Sequence, residues 1–221
     1  LNIFPHYFVG AECELPFANE KCLPHEQFSG GNFEPAINRM EIEKYYKLKR
    51  YEDVQFGILN FPISVLRLRY KDYTKIIKAA THILNQWKTY RDDSIGLIDS
   101  YDNNPQNTII PVARKVGDIY ELDLILRNNH STPEFPNGVF GTHPQYLFAK
   151  DKPLRIIDLL GMAILPARID KDLKLIANKI LNCEDLRSDE ITQNYADWVE
   201  NFIIEYDDIS EDNIMEILLN E

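Results

Sequence analysis

Thr108-Ile109-Ile110-Pro111-Val112-Ala113-Arg114-Lys115-Val116-Gly117-Asp118-Ile119-Tyr120-Glu121-Leu122-Asp123-Leu124-Ile125-Leu126 is the stretch that decides the fold of this 221-residue chain. Two β-rich runs, Thr108–Ala113 and Ile119–Leu126, flank Lys115-Val116-Gly117-Asp118, the pattern of a hairpin. Leu122, Leu124 and Leu126 alternate with Glu121, Asp123 and Ile125, so one face is expected in the core and the acids solvated or paired. Outward from the hairpin, Val54–Leu59 and Ser64–Tyr70 read as two strands broken at Pro62. From Asp72 to Asp93, apolar residues from Ile76 to Trp87 recur at helical spacing, with Asp72 as N-cap and His82 partly exposed. Beyond Pro166 the pattern is helical over about 170–182, 188–206 and 210–219, with Ser188 and Ser210 at N-cap positions. Strands with helices gathered at one end give an α+β class.

Composition bounds the function. A hydrophobic share of 44% and an aromatic share of 11% describe an ordinary soluble globular protein. No apolar run approaches the ~20 residues of a membrane span. From Glu184 to Glu221 there are thirteen acidic residues against one basic, so the net charge of −11 sits in the tail and the preceding body is close to neutral. That distribution argues against nucleic acid as a partner, and the tail reads as a solvated helix face. Cys13, Cys22 and Cys183 lack a C-x-x-C pattern and read as buried free thiols in a reducing, cytoplasmic setting, with no metal expected. Asn128–Pro153 holds four prolines and two glycines, consistent with a long functional loop.

Several runs point to a family. Phe4-Pro5-His6-Tyr7-Phe8-Val9-Gly10 and Glu14-Leu15-Pro16 precede Pro24-His25-Glu26-Gln27-Phe28-Ser29-Gly30-Gly31. Downstream come Asn107–Lys115, Gly117–Leu124, Arg127-Asn128-Asn129 and Gly161–Arg168. In this order and spacing they resemble the bacterial class II galactose-1-phosphate uridylyltransferases, the UDP-glucose–hexose-1-phosphate uridylyltransferases. The resemblance implies histidine-triad-like antiparallel sheets with flanking helices and a helical C-terminal part. It also implies a division into residues 1–33, the end of an N-terminal transferase domain, and 34–221, a C-terminal domain helical from about 170. The chain reads as a piece of a longer protein.

The chemistry implied is transfer of UMP from UDP-glucose to galactose 1-phosphate through a histidine, without a cofactor. Where the family motif carries His-x-His-x-Gln, His25 keeps the first histidine, Gln27 occupies the nucleophile position and Ser29 that of the glutamine. Neutral imidazole offers a free lone pair near pH 7, whereas an amide nitrogen is delocalised and not basic. Gln27 and Ser29 can therefore hydrogen-bond a phosphate, but Gln27 cannot carry it covalently. Gly30 and Gly31 let backbone approach a phosphate. A second histidine-rich family segment is reduced here to His143, within Gly138–Lys150. His6, Asn107, Arg114 and His143 join the glycines as candidate substrate-binding residues, Arg114 for the fit of a guanidinium to phosphate. The expected partners are UDP-glucose and galactose 1-phosphate, and a homodimer is among the assemblies implied. The alternatives are a catalytically inactive relative that binds a nucleotide sugar or sugar phosphate, and a structural or subunit-contact module.

Overall fold

The computed structural model describes residues 1–11, 27–136, 138–141, 156–162 and 165–220. They fall into two compact units, one up to residue 141 together with 156–162, the other from 165 to 220. His25, His143, Cys13 and Cys22 lie outside the described residues.

The first unit is built on one antiparallel sheet. Its elements in chain order are β1 (Phe8–Ala11), β2 (Phe28–Gly31), α1 (Ala36–Arg39), β3 (Ile42–Tyr46), β4 (Gln55–Leu59), β5 (Val65–Tyr70) and α2 (Tyr73–Trp87). A small hairpin, β6 (Ser100–Tyr101) and β7 (Asn104–Pro105), leads into β8 (Asn107–Val116), β9 (Ile119–Asn128) and the single turn α3 (Ile156–Leu159). The sheet order is β2-β1-β8-β9-β5-β4-β3, with the long β8–β9 hairpin at its centre. Gly117 turns that hairpin with φ +58°, a conformation that costs glycine little.

Each sheet face carries an apolar cluster. On one, Leu68, Ile109 and Leu124 meet the apolar stripe of α2, Ile76, Ala79 and Ile83. Asp72 caps α2 as expected, its Oδ1 accepting from Thr74 N–H at 2.8 Å. The helix stops at Trp87, short of the expected Asp93, because its end is bolted to the sheet. Trp87 Nε1 donates to Thr108 O at 2.9 Å, and Asn107 Nδ2 donates to Trp87 O and Tyr90 O at 2.8 and 2.7 Å. On the other face Val65, Ile110, Val112 and Ile125 pack with Ile37 and Ile156. The sequence had placed only the leucine side of β9 in the core. In the structure Ile125 is fully buried, as is Asp123.

The second unit is helical: α4 (Arg168–Leu181), α5 (Ala196–Ile203) and α6 (Ile214–Asn220), packed through Ile176, Val199, Phe202, Ile214 and Leu218. The helix expected over 188–206 is instead two 3-10 turns, Leu186–Ser188 and Thr192–Tyr195, followed by α5. Asp189 Oδ1 accepts from the N–H groups of Ile191 (2.8 Å) and Thr192 (3.3 Å), a side-chain turn that competes with a continuous helix. Ser188 caps nothing; its hydroxyl donates to Asp185 O at 2.6 Å and accepts from Lys179 Nζ at 2.8 Å. Ser210 meets α6 through its main-chain carbonyl, which accepts from Ile214 N–H at 3.0 Å. Cys183 is exposed, contrary to the expectation of a buried thiol. It takes the left-handed position after α4 (φ +54°), with Cys183 N–H bonded to Ile180 O and Glu184 N–H to Lys179 O, the Schellman closure of a helix end.

Arg168, Asp172 and Tyr195 join α4 to the second 3-10 turn. Tyr195 donates to Asp172 Oδ2 at 2.6 Å, while Arg168 Nη1 donates to that same oxygen at 2.8 Å and to the phenol oxygen at 2.9 Å. Burial, and then the bond to Asp172, push the phenol from its usual 10 up to about 12. A phenol raised in the folded state stabilises fully below its unfolded value and loses that contribution as pH climbs toward the folded one. Urea midpoints followed by tryptophan fluorescence should therefore fall between pH 10 and about 12, and Tyr195→Phe should flatten that fall.

Candidate functional site

Strand register lines up residues of opposite charge across the centre of the sheet. Arg67 and Arg69 of β5 face Asp123 and Glu121 of β9, and Arg114 of β8 faces Glu121. Paired residues of antiparallel strands point to the same side, so these five groups share the face that also carries Ile110 and Ile125. Asp123 is fully buried and takes a fork from Arg67, Nε at 2.6 Å and Nη2 at 2.8 Å, plus Arg114 Nη1 at 3.0 Å. Arg67 also donates to the carbonyls of Met40 and Ile37, both at 2.8 Å, and Arg114 Nη1 to Asn38 Oδ1 at 2.7 Å. The arginines thus hold α1 and its exit against the sheet. Glu121 is shared, one oxygen paired with Arg114 Nη2 and the other 2.7 Å from Arg69 Nε. The Arg69 N–H is not aimed along that line, so the contact is an ion pair without a hydrogen bond.

The charged row floors a cleft of about 900 Å³. His6, Asn38, Arg67, Arg69, Arg114 and Glu121 contribute to its lining, and exposed Tyr7, Phe33 and Tyr45 stand around it. Glu34 and Glu41 also line it and are exposed. Three guanidiniums meet two carboxylates on the floor, and Glu34 and Glu41 add acidic groups above it.

Of the residues singled out in the sequence, His6 and Arg114 come together in this cleft. Ser29 and Gly31 lie on the adjoining strands' shared face: Gly31 pairs with Phe8, which pairs with Arg114, and Ser29 follows the next row through Gly10 and Val112. Ser29 is half-buried, and Gln27 is exposed just before β2. Both glycines have a packing reason. A Cβ on Gly30 would stand 2.7 Å from Phe8 O, and one on Gly31 2.9 Å from Phe33 Cε1. Asn107 is at the far end of β8, seven residues or about 23 Å from Arg114 at ~3.3 Å per residue. There it is buried and clamps α2, also accepting from Asn128 Nδ2 at 2.6 Å. Lys115 turns to the opposite face, its ammonium 5.2 Å from the centre of the Tyr120 ring. Among the described residues no group of three or more His, Cys, Asp or Glu is arranged to hold a metal ion.

Arg67, Arg69 and Asn38 are site residues that the sequence reading passed over. A signal was present: charges spaced by two in Val65-Leu66-Arg67-Leu68-Arg69-Tyr70 complement those in Glu121-Leu122-Asp123. It becomes legible only when β5 is known to neighbour β9, and the two are more than 50 residues apart in the chain.

An antiparallel α+β sheet with a charged, aromatic-rimmed cleft defines the structural class. Sequence comparison supplies relatives. The chain is 37% identical over 222 residues to the galactose-1-phosphate uridylyltransferase of Clostridium acetobutylicum, covering all of this chain and 45% of that protein. The enzyme of the same name from Fusobacterium nucleatum is 35% identical over 227 residues, with 100% of this chain and 44% of the relative covered. That from Bacillus subtilis is 35% identical over 201 residues, with 90% and 39% covered. The chain is thus similar along its length to galactose-1-phosphate uridylyltransferases, and it spans less than half the length of these curated relatives. No protein-family model and no solved structure matches it.

The charge row makes a stability prediction. Asp123→Asn leaves three guanidiniums facing one carboxylate in a buried site and should cost about 3–5 kcal/mol in urea unfolding. A loss below about 1 kcal/mol would mean that the row does not organise this unit.

Proposed function

We propose that the chain is part of a UDP-glucose–hexose-1-phosphate uridylyltransferase-like protein of galactose metabolism, cytoplasmic, whose partners are UDP-glucose and galactose 1-phosphate. The observation that carries this reading is the arginine-floored cleft beside the motif strand, in a chain related along its whole length to proteins named for that reaction. Within it, position 27 serves binding and not covalent transfer. In the family-type step a histidine nitrogen would form a bond to the α-phosphorus of UDP-glucose as the bond to glucose 1-phosphate breaks, the leaving phosphate keeping the electron pair. Gln27 lacks the lone pair for that displacement. Its amide N–H and the Ser29 hydroxyl are suited to donate to phosphate oxygens. His25 would orient or polarise the phosphate beside them, with His6, Gly30, Gly31 and Arg114 as further contacts. His143 and Asn107 complete the residues proposed to serve the substrate, Asn107 through its hold on α2.

Intact-protein mass spectrometry after incubation with UDP-glucose tests this reading. The native chain should show no uridylyl adduct, and Gln27→His should gain one that maps to residue 27. An adduct on the native chain would contradict it and would identify another nucleophile by peptide mapping.

A further inference from the structure

We propose that Arg69 is the anion anchor of the cleft, the residue that grips the phosphate of the substrate proposed above. The proposal deepens the sugar-phosphate reading given above and rests on it. The three arginines of the charged row differ in what they have left to offer. Arg67 spends its guanidinium on Asp123 and two main-chain carbonyls, and it is almost fully buried. Arg114 is divided among Asn38, Asp123 and Glu121 and is buried too. Arg67 is structural, and Arg114 keeps only a small part of its guanidinium for a phosphate.

Arg69 is different. Its one ion-pair partner among the described residues is Glu121, beside Nε, and no hydrogen bond from either Nη group to a described residue is present. About a third of the side chain, 36%, is open to the cleft and solvent. Glu121 is itself held from the other side by Arg114, so the guanidinium is steadied at its inner edge and presents its outer edge. Two Nη groups in a fixed plane match two oxygens of a phosphate, the fork geometry that lysine lacks.

The rest of the cleft specifies what the anion is attached to. Tyr7, Phe33 and Tyr45 offer exposed ring faces suited to the C–H surface of a sugar. Glu34 and Glu41 are acceptors for hydroxyls. The combination fits a hexose monophosphate better than inorganic phosphate or an uncharged hexose.

Isothermal titration calorimetry of the chain with galactose 1-phosphate, inorganic phosphate and galactose separates these statements. Galactose 1-phosphate should bind most tightly, with an affinity that falls as salt is added. Arg69→Gln should weaken it about tenfold or more, and Arg69→Lys should recover only part of the loss. Thermal melting should show Arg69→Gln folded, since Glu121 keeps Arg114, and the exposed Arg39→Gln should bind as the native chain does. Undiminished binding by Arg69→Gln overturns the anchor and leaves the sugar-phosphate reading standing. Arg69-dependent binding of inorganic phosphate alone overturns the sugar reading and keeps the anchor. Binding of neither phosphate overturns the proposal.

Discussion

Asp123 has none of its surface in water, and a carboxylate there is tolerable only if the protein meets its charge and its hydrogen-bonding capacity. Three donor nitrogens from two neighbouring strands do so, at 2.6 to 3.0 Å. Once Asp123 is committed to the interior, the register of β5, β8 and β9 is fixed, because a slip of one residue would turn it or its arginines to the other face. Further consequences run outward. Arg67 must spend its remaining protons, and does so on the carbonyls that end α1. Arg114 reaches Asn38 in the same helix turn. The segment between the motif strand β2 and β3 is thereby tied to the sheet centre.

The face that bears this row is divided along its length. Toward the Ile110–Ile125 end it is a dry core closed by Ile37 and Ile156, and toward the hairpin turn it is charged and open. That gradient produces a cleft with a rigid floor and a rim of short or exposed segments. Buried ion pairs add little net stability compared with apolar packing, so their presence here is better accounted for by what they hold in place. They hold α1, and they leave Arg69, a third exposed, lining the cavity with one ion-pair partner among the described residues.

Much of the frame was readable from the chain. The β8–β9 hairpin, β4, β5 and the start of α2 fall within a few residues of their pattern-based limits, because period-two and period-3.6 burial are local properties. The end of α2 was not, since Asn107, twenty residues beyond Trp87, closes it. Strand β3 also escaped notice: Glu43, Lys44, Tyr45 and Tyr46 are all exposed, and pairing with β4 alone makes them a strand. In the second unit a helix over 188–206 ignored Asp189, whose carboxylate captures two backbone amides. The motif region was found through resemblance, but the charged floor of the cleft was not. Glu121 and Asp123 resemble a solvated strand face until the arginines of a distant strand are set against them.

Amide hydrogen exchange by mass spectrometry on the native chain and on Arg67→Met tests most directly whether the charge row holds the site together. If it does, the variant loses protection in the segment from Pro35 to Ile42, while peptides of α4 and α5 exchange as before. Unchanged protection at Pro35–Ile42, or an equal loss across both units, would contradict the account.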